Sequence, residues 1–234
     1  MQNMISSEAR SSRSGLLLYK SIGTAIGKTI LDLVFPPRCA GCGRVDFRWC
    51  PACQSLLDTV PISMEVKQVA ENFTVASTSI HDGKVQEAIH ALKYDNVQEL
   101  GFRLAERMID VLKQQVWQID SIVPVPLHVS RKLQRGYNQA QILGDFIGQA
   151  CLIHCEPDAV IRQRATQSQV TLNREERLIN MQDAFIANSD LISGKTILIV
   201  DDVLTTGSTL LAVSQAVVDA GAKMTYGLTI TRAS

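Results

Sequence analysis

The chain carries no excess of either charge: Lys and Arg total 23, Asp and Glu total 23, and the formal net charge is +0. That balance excludes a global basic field of the kind that gathers nucleic acid at long range, so any such binding must come from a local patch. No internal repeat and no low-complexity segment is present, which excludes a solenoid or a compositionally biased linker protein. An unbroken membrane-length apolar run is also missing. The stretch 16–35 comes nearest, but Lys20, Lys28 and Asp32 interrupt it. No small-residue cleavage site follows it, so Arg10 and Arg13 do not mark the start of a signal peptide. The expectation is a cytoplasmic protein with no transmembrane segment, with recruitment to the inner membrane face as the alternative. A complete nucleotide-binding P-loop is absent as well. Gly27-Lys28-Thr29 and Gly194-Lys195-Thr196 look like its tail, but the glycine needed five positions earlier is Ile22 or Ser189.

At 234 residues there is room for one sizeable core and a small appendage. The first 14 residues are polar and read as a disordered tail. Leu18, Ile22, Ala25, Ile26, Ile30 and Val34 recur at helical spacing and predict an amphipathic helix. With the cysteines that follow, it makes a module over 15–58. Residues 59–70 read as a linker, and 71–234 as the main domain.

The most informative run is Ile197 to Thr209. A buried apolar strand delivers Asp201 and Asp202 into Thr205, Thr206, Gly207, Ser208 and Thr209, where a helix begins. Backbone N–H groups at a helix N-terminus, with those hydroxyls, suit a phosphate. The carboxylates can accept hydrogen bonds from neighbouring sugar hydroxyls. A plain strand, Asp turn and Ser/Thr cap is the simpler alternative. The run resembles the ribose-phosphate signature of type I phosphoribosyltransferases, which bind phosphoribosyl pyrophosphate (PRPP). In that family the two acids hold the 2′ and 3′ hydroxyls and the loop cradles the 5′-phosphate.

Cys39-x2-Cys42 and Cys50-x2-Cys53 form two paired knuckles that can close a tetrahedral zinc shell, and Gly41 and Gly43 permit the tight turns. So short a segment cannot build a core unaided, so the structural Zn²⁺ should supply its folding energy. A redox pair at Cys50 and Cys53 is the alternative, but no strand–helix–strand unit surrounds it. Phe35, Phe47 and Trp49 read as packing for the module or as platforms for unpaired bases. Cys151, His154 and Cys155 read as small hydrophobes beside a solvated histidine.

Elsewhere the pattern alternates. Strands are expected at Phe73–Ile80, Ile119–Val125, 159–162, the signature run and Met224–Ile230. Helices are expected at Lys84–Lys93, Asn96–Gln115, Gln139–Gln149, around 174–181 and after the signature. This is an α/β fold, with a mostly parallel sheet and helices on both faces. Ligands collect at the carboxyl ends of such strands. The loop Pro124–Asn138 leaves one of them carrying Arg131, Lys132, Arg135 and Gly136 without an acid. Arg131, Arg135 and Gly136 are therefore candidates for a pyrophosphate loop, with a solvated basic loop as the alternative. His128 reads as packed or surface-exposed rather than catalytic. The polar stretch Arg162–Asn173 could be a lid or an ordinary surface loop.

Taken together, several separated blocks resemble the ComF family of bacterial competence proteins. They are the cysteine knuckles, His81-Asp82-Gly83-Lys84 through Ala91-Leu92-Lys93-Tyr94, Val123 to His128 with Arg135-Gly136-Tyr137-Asn138-Gln139, Arg174 with Arg177 and Asn180, and the signature. The resemblance covers nearly everything after residue 30. It implies a zinc finger ahead of a type I phosphoribosyltransferase-like domain, PRPP bound with Mg²⁺, and a role in natural transformation. The implied partners are single-stranded DNA, a DNA-uptake helicase and other competence proteins. Purine-salvage relatives often carry an acid where this chain has Thr205, a departure that argues against purine salvage. The alternative is an active phosphoribosyltransferase of unknown acceptor.

Overall fold

A computed structural model describes residues 36–163 and 184–233. The expected helix over 15–35, most of the polar loop from Arg164 to Asn173, and the helix carrying Arg174, Arg177 and Asn180 lie outside the described residues. The chain divides into two compact units, residues 1–50 and 51–234.

In the first unit the backbone folds tightly around Cys39. Its N–H donates to the Arg44 carbonyl at 2.8 Å, and the Gly43 N–H returns to the Cys39 carbonyl at 2.8 Å. Gly43 sits at φ +74°, a left-handed conformation that glycine adopts without steric cost.

The second unit begins with helix α1 (Pro51–Thr59), where proline occupies the first turn and loses no helical hydrogen bond. Strands β1 (Glu65–Ala70) and β2 (Phe73–Ile80) follow, then helices α2 (Gly83–Tyr94) and α3 (Leu100–Leu112), and strand β3 (Ser121–Pro124). Next come α4 (Val129–Arg135), α5 (Gln139–Cys151), β4 (His154–Cys155) and β5 (Val160–Arg162). The chain closes with β6 (Phe185–Ala187), α6 (Ser189–Ile192), β7 (Thr196–Leu204), α7 (Ser208–Asp219) and β8 (Met224–Arg232).

The six-stranded sheet has the order β1-β2-β8-β7-β3-β4, parallel throughout except for the antiparallel β1 edge. Its centre is buried on both faces: Ile197, Leu198, Ile199 and Val200 are each 0% exposed, which is why that strand reads as a continuous apolar run rather than an alternating one. On one face, Val213 and Val217 of α7 pack with Val75, Ile197 and Ile199. Helix α3 carries its apolar stripe on Leu100, Leu104, Met108, Val111 and Leu112, and all five are buried. It crosses α5 closely at Gly101, where an added Cβ would stand 2.3 Å from Ile142 Cγ2.

Three expectations need correction. The second half of the expected linker 59–70 is strand β1, hydrogen-bonded to β2 over Glu65–Ala70. Arg107, 9% exposed, also holds the segment before it by donating to the Val60 and Pro61 carbonyls at 3.0 and 3.2 Å. Residues 160–162 do form a strand, but it leaves the parallel series and pairs antiparallel with β6 in a separate two-stranded ribbon. The basic loop after β3 is not all loop, because Val129–Arg135 forms about two turns of helix. His128 Nδ1 caps it by accepting from the Ser130 N–H, and Gly136 ends it at φ +81°.

Candidate functional site

Strands β7 and β3 are neighbours, so the segments leaving their carboxyl ends meet above the sheet. Asp201 pairs with Thr229 of β8 in the register that also pairs Ile199 with Gly227. Successive side chains alternate faces, so Asp201 shares the face of Ile199 and Asp202 turns the other way, toward α2. There the Asp202 carboxylate, with a side chain 5% exposed, meets Lys93 Nζ at 2.8 Å. Both acids border a cavity of about 140 Å³ that Lys93, Arg131, Arg135 and Arg162 also line.

Burial pushes the Asp201 carboxyl well above the ordinary carboxylate range, and the charge of Asp202 adds to it; Lys93, the Asp202 N–H and Arg162 only partly offset these. Across the cavity, burial and the proximity of Arg131 lower the proton affinity of Arg162, while Asp201 opposes them. Two acids therefore face clustered cations across a small polar space. That arrangement suits a ligand with hydroxyls at one end and strong negative charge at the other.

Of the expected hydroxyl loop, only Thr209 borders this cavity; Thr205, Thr206, Gly207 and Ser208 do not line it. Gly207, at φ +81°, precedes the first turn of α7, and its carbonyl accepts the Leu211 N–H at 2.8 Å. A Cβ at Gly207 would lie 2.9 Å from Val69 Cγ1, so the loop is packed down against β1. Thr206 and Ser208 hydroxyls lie 2.8 Å apart, Thr209 reaches the cavity wall, and Thr205 is exposed.

Of the expected pyrophosphate-loop residues, Arg131 and Arg135 stand in the cavity wall. Gly136 instead borders a neighbouring apolar cavity of about 460 Å³. Arg135 is held by Gln139 Oε1, which accepts from its guanidinium, and it lies over the Tyr94 ring at 5.2 Å. Asn138 supports the whole turn: its side-chain oxygen caps α5 by accepting from the Ala140 N–H, and its amide donates to the Val125 carbonyl, each at 3.0 Å. Lys93 and Arg162 escaped the sequence reading as site residues. Lys93 sits in a block that carried the family resemblance, but no spacing there points to a carboxylate more than a hundred positions away.

His81, beside this group, bonds Thr231 Oγ1 through Nδ1 at 2.8 Å. Burial lowers its pKa, Lys93 lowers it further, and Asp202 and Asp82 oppose that. His154 is solvated, whereas Cys151 and Cys155, expected as buried hydrophobes, are half-buried, with thiols pushed up by burial.

The second candidate site is the cysteine cluster. The sulfurs of Cys39, Cys42, Cys50 and Cys53 all lie within 4.8 Å of one another. A tetrahedral shell with bonds of about 2.3 Å needs sulfurs about 3.8 Å apart, so the four residues fit Zn²⁺. Burial acts to raise the Cys39 thiol, but hydrogen bonds from Cys50, Gly41 and Cys42 outweigh it and bring the thiol down to about 6. A thiol lowered in this way is ready to ligate.

Comparison with known proteins identifies relatives of this chain. A family model described as "Phosphoribosyl transferase domain" matches residues 155–231. The chain is 29% identical over 193 residues to the DNA utilization protein YhgH of Escherichia coli (strain K12), covering 79% of this chain and 84% of that protein. It is 30% identical over 157 residues to DNA utilization protein YhgH of Salmonella typhi, covering 63% and 67%. It is also 35% identical over 98 residues to Competence protein F of Haemophilus influenzae (strain ATCC 51907 / DSM 11121 / KW20 / Rd), covering 41% and 43%.

Proposed function

This chain belongs to the ComF family, and from that premise we propose that it binds PRPP with Mg²⁺ and serves DNA uptake in natural transformation, handling incoming single-stranded DNA in the cytoplasm. The observation behind the ligand is that Asp201 and Asp202 share one small cavity with Arg131, Arg135 and Arg162, and that Thr209, from the first turn of α7, borders it as well. The acids would hold ribose hydroxyls, the loop the 5′-phosphate and the arginines the pyrophosphate. Mg²⁺ favours oxygen donors and phosphates, and this acidic end of the cavity offers the former. A DNA-uptake helicase and other competence proteins are the partners this role implies. Among the described residues no helix is long and apolar enough to cross a membrane.

Isothermal titration with PRPP and Mg²⁺ tests the ligand. We expect saturable heat that disappears in the double variant Asp201→Ala, Asp202→Ala. Absence of heat in the parent, or equal heat in the variant, removes the proposal.

An active phosphoribosyltransferase is the second reading, favoured by the adjoining apolar cavity of about 460 Å³, where Leu127, Val129 and Ile161 could receive a flat acceptor. Thr205 supplies no carboxylate to take a proton from such an acceptor. Pyrophosphate release across a panel of nucleobases and amines separates the two readings, with release for any member of the panel favouring the enzyme.

A further inference from the structure

A larger cavity, of about 550 Å³, is lined by four residues of the acidic site, Lys93, Tyr94, Arg131 and Arg135, but by neither aspartate. Asn96, Gln134 and Tyr137 complete its lining, and no side chain in it is acidic. PRPP carries no aromatic ring and gives no reason for what this cavity displays. Tyr94 is 66% exposed at its mouth, with the His90 ring centroid 4.7 Å away and the Arg135 guanidinium 5.2 Å from its own centroid. Tyr137 is fixed in place by donating its hydroxyl to the Leu92 carbonyl. An exposed aromatic ring beside three cations offers a stacking face to a flat base, and the cations offer charge to its phosphate. The volume lies within the range that holds a small ligand.

We propose that this cavity is a nucleotide subsite, in which a base stacks on the Tyr94–Arg135 pair and the phosphate takes Lys93 and Arg131. The nucleotide is either free or one unit of a single strand, since both present the same base and phosphate. Because the cavity shares its cations with the acidic site, the nucleotide and the pyrophosphate of PRPP compete for them. Occupancy of the two sites is then coupled, and by linkage each ligand weakens the other by the same factor. The competition rests on the proposed PRPP reading; the nucleotide subsite stands without it.

The test uses the full chain and a fluorescently labelled 20-residue oligothymidine, followed by anisotropy at fixed low salt because phosphate contacts are salt-dependent. Gln134→Glu places a negative charge in the cavity at an exposed position of α4, away from the acidic site. Tyr94→Leu removes the stacking ring. We expect Tyr94→Leu to weaken oligomer binding about tenfold or more, as loss of one stacked base does, and Gln134→Glu to weaken it several-fold, with both variants keeping the parent's thermal melting midpoint. Displacement of the oligomer by millimolar thymidine monophosphate makes the free nucleotide a ligand in its own right. Retention of the oligomer, with the Tyr94 dependence intact, assigns the subsite to the strand; either result supports the proposal.

Oligomer binding equal in the parent and both variants overturns it, and so does the absence of binding by both probes. PRPP and Mg²⁺, added to the bound oligomer, should lower its affinity. PRPP that binds calorimetrically without displacing the oligomer overturns the shared-cation placement. PRPP that does not bind the parent, with the Tyr94 dependence intact, overturns the phosphoribosyl reading and leaves the nucleotide subsite standing.

Discussion

Two adjacent aspartates with opposite surroundings set the chemistry at the residue scale. Asp202 has Lys93 at 2.8 Å, whereas burial and its neighbour push Asp201 up to about 7. The sign of the consequence follows from linkage. An acid whose folded-state pKa lies above its ordinary value holds a proton that the unfolded chain has released, so stability is lost as pH rises from about 4 toward 7. Asp201→Asn removes that loss. Since the side chain keeps partial access to solvent, the expected gain is about 1 kcal/mol, or roughly 2–4 °C in melting temperature at pH 8 without ligand. The same variant should give no PRPP heat. Melting curves at pH 5 and pH 8 check this, and an advantage that is equal at both pH values would show that the carboxyl does not titrate as described. Lys93→Met acts in the other direction, because it leaves a nearly buried carboxylate without its cation. Such a loss costs about 3 kcal/mol, reduced here because Lys93 is itself 20% exposed, and it should appear as a lower urea midpoint.

At the scale of elements, the site depends on how loops are fastened to the sheet. The α7 loop is pressed against β1 at Gly207, where both the positive φ and the 2.9 Å approach to Val69 Cγ1 exclude a side chain. Gly207→Ala should therefore destabilise the protein by roughly 1–2 kcal/mol from the backbone conformation alone, with the clash adding to it. Adding Val69→Ala should recover the steric part and leave the conformational part. A double-mutant cycle in denaturant reads the split, and strict additivity would mean that the loop moves away from β1 instead of clashing with it. On the opposite side of the cavity, Asn138 both caps α5 and holds the Val125 carbonyl. Asn138→Ala should cost about 1–2 kcal/mol and loosen Arg131 and Arg135 together, so PRPP affinity should fall although the substitution touches no ligand.

The whole molecule joins a cysteine cluster to an α/β domain, and the two parts have different sources of stability. Among the described residues 36–53 only Cys39, Cys50 and Cys53 are buried, so metal must supply what a core would. Protein purified without chelator is expected to hold about one equivalent of zinc. Chelation should abolish the ordered structure of residues 36–53 and leave the main sheet cooperative in thermal unfolding. Finding no metal would overturn the zinc assignment.

Much of this could be read from the amino-acid order, because the decisive signals are local. The apolar run Ile197–Val200 is buried on both faces, the hydroxyls sit where α7 begins, and two cysteine pairs with short spacing come together in one cluster. Strand β1 was illegible for a physical reason: it is held by backbone bonds at a solvated edge, and its exposed side chains carry no apolar alternation. Strand β5 was legible at 159–162, but its partner β6 and their antiparallel pairing were not, because β6 has three residues, too few for a period. Lys93 lies at the end of α2 and Arg162 at the end of β5, and no sequence interval connects them to the aspartates. The sequence by itself determined which groups could bind a sugar phosphate and a metal, since those groups are neighbours along the chain. Only the tertiary structure decided which cations face the two carboxylates and that Tyr94 opens a second cavity beside them, because parallel strands bring together loops that are distant in sequence.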